Sequence, residues 1–322
     1  MIAARAGAVR MNVALAPDKF RDPLRTALGK ARAVVAPDRL RTLWINTGTL
    51  CNITCAHCYI ESSPRNDALA YPTAAEILPF IAEAAALGAS EIGFTGGEPF
   101  LNRALPAMLQ AVLGAGLRAL VLTNAMKPMR NHAAALLALQ AAHGARLTLR
   151  VSLDHHTSAR HDAEREAGSF AAALDGLRWL ATHGFGVHVA GRAGFAAPGE
   201  DEAALRAGYA RLFAAETIPV DATDPVALML FPEMDTTVDV PEITTACWGI
   251  LHKRPQDVMC ASSRMVIKRR GAAGLSVAAC TLLPYEPQFE LGRTLAEAWR
   301  PVALNHPHCA KFCVLGGAAC AR

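Results

Sequence analysis

The chain has 322 residues, a formal net charge of +4 and 52% hydrophobic residues. That length can hold one large domain and a smaller one, with a substantial buried core. So small a charge demands neither a nucleic acid nor a membrane as partner, and Lys253-Arg254 and Lys268-Arg269-Arg270 read as solvated faces. Residues 1–24 mix Arg5, Arg10, Asp18 and Lys19 with short apolar stretches, which is no secretory signal. The apolar stretch Leu105 to Met126 is broken by Gln110, Gly114, Gly116 and Arg118, which excludes a membrane span there. A cytoplasmic protein is expected.

From about residue 41 strand-like and helix-like segments alternate. Thr42–Asn46 reads as a strand. Thr73 opens a helix with a capping box, Glu76 standing three residues on, and the helix runs to about Leu87 before Gly88. Strands follow at Glu91–Thr95, Arg118–Leu122, Leu147–Leu153, Val187–Ala190 and Val226–Leu230. Helices fall between them at about Ala104–Leu113, Ala133–Ala142, Ser169 to near Gly184, and Glu202–Ala215. About six βα units predict an α/β fold, a partial (β/α)6 TIM-like barrel short of the eight units of a closed one. After about residue 236 the alternation fades, Gly, Pro and Cys increase, and one short helix near Leu295–Trp299 remains. This predicts an N-terminal extension (1–40), a barrel (41–235) and a small Cys-rich domain (236–322) organised by metal.

Nine cysteines are distributed unevenly: Cys51, Cys55 and Cys58 near the start, and six after position 246. In a reducing compartment such clusters suggest metal binding before disulfides. The spacing C-x3-C-x2-C directly follows the first strand, and ligands sit beyond the carboxyl ends of strands in such folds. A structural zinc normally takes four protein ligands, so zinc here would recruit His57 or a distant cysteine. Three thiolates can instead hold a cubane iron–sulfur cluster with one iron open.

Further residues recur at strand ends. Gly96-Gly97-Glu98-Pro99 follows the second strand, where two glycines let backbone approach a ligand. Leu122-Thr123-Asn124 ends the third. Ser152 and Asp154, two apart at the end of the fourth, point to the same face. His161-Asp162, Arg165 and Gly168-Ser169-Phe170 come next; taken alone, Arg165 could form a surface ion pair with Asp162 or Glu166.

Taken together, over roughly residues 42 to 232, these motifs resemble the radical S-adenosylmethionine (SAM) superfamily, and the Ser152–Phe170 stretch resembles its members with cysteine-rich C-terminal extensions. The resemblance implies a SAM-binding [4Fe-4S] cluster on Cys51, Cys55 and Cys58, whose open iron chelates SAM. One electron then cleaves SAM to methionine and a 5′-deoxyadenosyl radical, which abstracts a hydrogen atom from substrate. It further implies cofactor contacts from His57 (where an aromatic residue is usual) and Tyr59, from Gly96, Gly97 and Glu98 near the SAM amino group, from Asn124 and Ser152, and from Arg165 with the SAM carboxylate. Ala125 stands where a glycine is usual, and His155 replaces another glycine. Asp154, His155, Arg192 and Glu233 are candidate substrate contacts at the barrel mouth.

The tail holds Cys247, Cys260, Cys280, Cys309, Cys313 and Cys320. Gly274 leading to Cys280, then Leu291-Gly292-Arg293 and a short helix, resembles SPASM and twitch domains, with fewer cysteines and different spacings than a full SPASM domain. This implies one twitch-like auxiliary [4Fe-4S] cluster on Cys260, Cys280, Cys309 and Cys313, with Cys320 a strong substitute and Cys247 a weaker one; zinc is the alternative metal. The expected function is radical hydrogen abstraction from a peptide or small-molecule substrate, with a flavodoxin- or ferredoxin-type electron donor. Residues 1–40 are too few for a typical leader-peptide recognition module, which disfavours a leader-dependent maturase. The alternative is a non-catalytic zinc or iron–sulfur binding protein.

Overall fold

The computed structural model describes residues 14–195, 200–232 and 238–316. A short strand β1 (Val34–Val35) precedes six strands that pair in parallel in chain order: β2 (Thr42–Asn46), β3 (Glu91–Thr95), β4 (Arg118–Thr123), β5 (Leu147–Ser152), β6 (Gly186–Arg192) and β7 (Leu228–Phe231). Every residue of β2 is buried, as in a parallel strand covered on both faces. Its register against β3 is set by size. Trp44 lies opposite Gly93, where a Cβ would stand 2.4 Å from the indole ring.

The crossovers carry α1 (Ala74–Ala86), α2 (Leu105–Gly114), α3 (Lys127–Arg130), α4 (Ala133–His143), α5 (Ser158–Arg165), α6 (Ser169–Thr182) and α7 (Glu202–Ala215). The capping box of α1 forms as expected: Thr73 Oγ1 accepts from Glu76 N–H, and Glu76 Oε2 accepts from Thr73 N–H at 2.8 Å. The six-unit partial barrel is therefore as the sequence predicts, apart from strand ends that move by one or two residues. Helix α5 was not foreseen.

The tail contributes α8 (Cys247–Ile250), β8 (Ser263–Ile267), β9 (Ser276–Ala278), β10 (Glu290–Gly292), α9 (Leu295–Ala298) and β11 (Val302–Ala303). Strand β8 joins the barrel sheet parallel to β2, and β9 and β10 extend it antiparallel. The first cysteine loop thus leaves a strand flanked by β3 on one side and a tail strand on the other. Strand β1 pairs with β11, and the buried Arg32–Glu242 pair (2.5 Å) helps hold residues 30–35 onto the tail.

Candidate functional site

Residues at the carboxyl ends of the parallel strands enclose one cavity with an empty volume of about 1040 Å³, part of it open to solvent. Cys51, Cys55, Cys58 and Tyr59 line it from the loop after β2. Thr95, Gly96 and Gly97 follow from β3, Leu122 to Asn124 from β4, Ser152 and Asp154 from β5, Ala190 and Arg192 from β6, and Phe231 from β7. Arg165 reaches in from α5, and Thr281 and Leu282 close it from the tail.

The cysteine loop is fixed by backbone contacts that require glycine. Gly97 N–H donates to Gly48 O (2.8 Å) and Glu98 N–H to Leu50 O (3.1 Å). A Cβ on Gly97 would stand 2.1 Å from Leu50 O, and one on Gly96, whose φ is +139°, 2.4 Å from Gly48 O. The two glycines let the end of β3 dock against the chain entering Cys51. The Glu98 carboxylate does not line the cavity. It is buried and accepts from Thr123 Oγ1 (2.8 Å), Asn124 N–H (2.8 Å) and Phe100 N–H (3.2 Å), so it braces the end of β4. Burial pushes its carboxyl up to about 7 against those three donors. Asn124 then donates from Nδ2 to Asn52 Oδ1 (2.8 Å), tying β4 to the cysteine loop.

Helix α5 holds the loop from the other side. Glu164 Oε1 accepts from His57 N–H (2.9 Å) and its Oε2 pairs with His57 Nδ1 (2.8 Å). Ala56 N–H donates to Glu164 O (2.8 Å) and Thr54 N–H to Glu166 Oε1 (2.7 Å). His57 therefore supports the loop from outside the cavity lining. Glu164 and Glu166 were not identified from sequence; adjacency to Arg165 was the one available signal.

Arg165 does not make the surface ion pair with Asp162 or Glu166. Its Nε donates to Asp154 Oδ2 (2.6 Å) and its Nη2 to Asp154 Oδ1 (3.1 Å), a two-pronged pair at the cavity wall. Asp162 instead accepts from Gly168 N–H, Ser169 Oγ and Phe170 N–H at the start of α6. His161 Nδ1 accepts Asp154 N–H at 3.1 Å, and burial pushes this histidine down to about 4. The neighbouring guanidinium holds the Asp154 carboxyl below its usual range against burial. Arg192 lies over the Tyr59 ring at 4.7 Å and donates to His57 O at 2.8 Å.

His155 is turned away from the cavity. It stacks on His156 (ring centroids 4.2 Å apart) and faces Glu200. His155, His156 and Glu200 place ligand atoms within 4.8 Å of one another. However, Thr157 N–H donates to His155 Nδ1 (3.0 Å), which leaves the ring proton on Nε2, 3.3 Å from Glu200 Oε2. That nitrogen is a donor to the carboxylate rather than a metal ligand. Glu233 lies outside the described residues.

Cys51 and Cys55 sit where a free thiolate is disfavoured. Burial pushes Cys51 up to about 12 and Cys55 to about 11, and a bound metal centre would favour their thiolate forms. Ser62 N–H already donates to Cys58 Sγ (3.3 Å).

A second cavity, with an empty volume of about 360 Å³, is lined by Cys260, Cys280, Cys309 and Cys313 together with apolar side chains and His308. The four cysteines preferred from sequence thus meet at one place. Cys247 lies apart, its sulfur accepting Thr244 N–H at 3.4 Å, and Cys320 is outside the described residues. Leu282 lines both cavities, and Tyr59 of the first cysteine loop meets Phe312 of the second edge-on at 6.0 Å.

Comparison with known proteins gives the family and the fold. The Radical SAM superfamily model matches residues 45–205. The subtilosin biosynthesis protein AlbA of Bacillus subtilis, named for an antilisterial bacteriocin, is 33% identical over 141 residues, 44% of this chain and 30% of AlbA. Among solved structures, Streptococcus suis SuiB bound to its precursor peptide SuiA gives a TM-score of 0.59 at 11% identity, covering 81% of this chain and 65% of that one. Native anSMEcpe with bound AdoMet and a Kp18Cys peptide gives 0.55 at 12% identity, covering 80% of each chain. These likenesses are of fold, and the chain spans under two thirds of AlbA and SuiB.

Proposed function

This chain belongs to the radical SAM superfamily, and from that membership we propose that it reductively cleaves SAM and abstracts a hydrogen atom from a peptide. The observation that carries the reading is the meeting of Cys51, Cys55, Cys58, Gly96, Gly97, Asn124, Ser152 and Arg165 around one cavity at the strand ends. When bound, the cluster and SAM supply a 5′-deoxyadenosyl radical by one-electron reduction, with methionine released.

The chain's own residues hold, orient and shield. Cys51, Cys55 and Cys58 would hold the cluster on a loop braced by Glu164 and the two glycines. Arg165 and Arg192 bring positive charge to the side where Asp154 is, among the described residues, the one carboxylate lining the cavity. A ligand carboxylate would share Arg165 with Asp154, as a guanidinium's paired donors allow. Phe231, Leu122 and Leu282 supply apolar walls that keep water from a reactive carbon radical.

Cys260, Cys280, Cys309 and Cys313 would hold a twitch-like auxiliary four-iron cluster behind the Thr281-Leu282 wall. A ferredoxin- or flavodoxin-class protein would deliver the electron. Support for a peptide substrate comes from the peptide-bound SuiB and anSMEcpe structures and from AlbA's part in bacteriocin biosynthesis.

The test is anaerobic incubation of the reconstituted protein with SAM and dithionite, with 5′-deoxyadenosine and methionine quantified. Production that is lost in Cys55→Ala supports the reading; none from the iron-loaded wild type overturns it.

A further inference from the structure

Arg264, on β8, is fully buried four residues after Cys260. Its Nε donates to Ala298 O (2.9 Å), Nη1 to Cys260 O (2.5 Å) and Ser263 O (2.7 Å), and Nη2 to Arg300 O (3.0 Å). Its plane lies over Trp299 at 4.9 Å. All these acceptors are main-chain carbonyls, and among the described residues no carboxylate pairs with it. Arg32 and Arg192, also buried, each face a carboxylate.

A guanidinium cannot shed its proton, and a buried cation without a counter-ion is strongly unfavourable. Its Nη1 sits on the carbonyl of Cys260, which places the guanidinium beside the main chain of one of the four cysteines that line the second cavity. As thiolates around a metal centre they carry the charge that the arginine lacks.

We propose that Arg264 is the built-in counter-cation of the C-terminal thiolate site, stabilising the negative charge of a four-iron cluster on Cys260, Cys280, Cys309 and Cys313 and raising its reduction potential. The proposal rests on the auxiliary-cluster reading above. Reduction adds one electron, and so one negative charge, to the cluster; no bond breaks and no proton moves. The electron comes from an external donor, a ferredoxin- or flavodoxin-class protein in the cell or dithionite in the cuvette. A fixed neighbouring cation favours the more negative, reduced state. Arg264 would balance a four-thiolate zinc site equally well, but zinc has no potential to shift.

The test uses the full chain carrying Cys51/Cys55/Cys58→Ala, so that remaining iron belongs to the tail. Arg264→Gln keeps hydrogen-bond donors without charge, and Arg264→Lys keeps charge without the planar fork. Iron content and an EPR-monitored redox titration are read. Arg264→Gln should lower the ratio of reduced to oxidised cluster at a fixed potential at least tenfold, a midpoint shift of about 59 mV, while Arg264→Lys stays near the parent. Iron lost from the Gln variant and kept by the Lys variant also supports the assignment. An unmoved midpoint in Arg264→Gln overturns it, as does an equal fall, or equal loss of iron, in both variants. A parent without iron refutes the auxiliary cluster itself, a result distinct from an iron-loaded parent whose potential ignores Arg264.

Discussion

Arg165 and Asp154 form a two-pronged ion pair, Nε to Oδ2 at 2.6 Å and Nη2 to Oδ1 at 3.1 Å, inside the cavity that the three cysteines line. The pair sets the charge of the pocket before any ligand enters; removing Asp154 takes the carboxylate from Arg165, and removing Arg165 leaves Asp154 only the longer contact to Arg192 at 3.6 Å. Arg165→Met and Asp154→Asn should each cost about 3–5 kcal/mol. The double variant should cost less than their sum by roughly 1–3 kcal/mol. Urea unfolding of the four proteins measures the cycle, and strict additivity contradicts the pairing. Arg165→Lys should also weaken SAM binding about tenfold, because an ammonium cannot serve two carboxylates through a planar fork; calorimetry reads this.

Glu164 is expected to matter to the first cluster although it does not line the cavity. Glu164→Ala removes the acceptors of His57 N–H and Nδ1 and should cost about 2–3 kcal/mol as those groups lose their partner. Its iron content should fall towards that of a protein lacking Cys51, Cys55 and Cys58. Glu166→Ala, which removes one exposed contact to Thr54 N–H, should load iron as the parent does. Equal loading of all three proteins rules out the bracing role.

Glu98 predicts a pH dependence of stability. Its carboxyl rises from 4.5 to about 7, first because it is buried. Between those values the native state binds more protons than the unfolded state, so stability falls as pH rises and the loss is complete above the upper value. The size is roughly 3 kcal/mol at about 1.4 kcal/mol per unit. Glu98→Gln cannot titrate, so its denaturation profile between pH 5 and about 8.5 should lack that fall. Parallel profiles would contradict the assignment.

Gly176 separates packing from propensity. It lies in α6, where alanine is favoured over glycine by about 1 kcal/mol. Yet a Cβ there would stand 1.9 Å from Ala125 O. Gly176→Ala should therefore destabilise by about 1–3 kcal/mol. Gly114→Ala, at the end of α2 and with no atom nearer than 3.9 Å, should be neutral or stabilising. A Gly176→Ala protein as stable as the parent in thermal unfolding would overturn the packing argument. Ala125 itself holds φ +58°, so the left-handed turn that a glycine usually makes after Thr123-Asn124 survives its replacement.

The barrel strands were legible because buried parallel strands are unbroken apolar runs ending at polar or glycine residues, as Leu43–Ile45 and Ile92–Phe94 are. The first cysteine loop was legible from local spacing. Helix α5, Ser158–Arg165, was not, because it buries His161 and Glu164 rather than an apolar stripe; its fold-level partner is a loop a hundred residues away. Strand β8 was hidden for a similar reason. An arginine near its start reads as surface, yet it is buried with four main-chain carbonyls around it, two of them, Ala298 and Arg300, more than thirty residues away. The tail cysteines announced a metal site without fixing its ligands, since Cys260, Cys280 and Cys309 come together only through strand pairing and the closing turn at Cys309–Leu315.

The most direct test is iron and sulfide content, with EPR of the reduced protein, for the wild type and for Cys51/Cys55/Cys58→Ala, both prepared anaerobically. Two four-iron sites predict about eight irons per chain falling to about four in the variant, together with loss of the signal that SAM perturbs. Iron content unchanged by the triple substitution, or zinc in its place, would contradict the account.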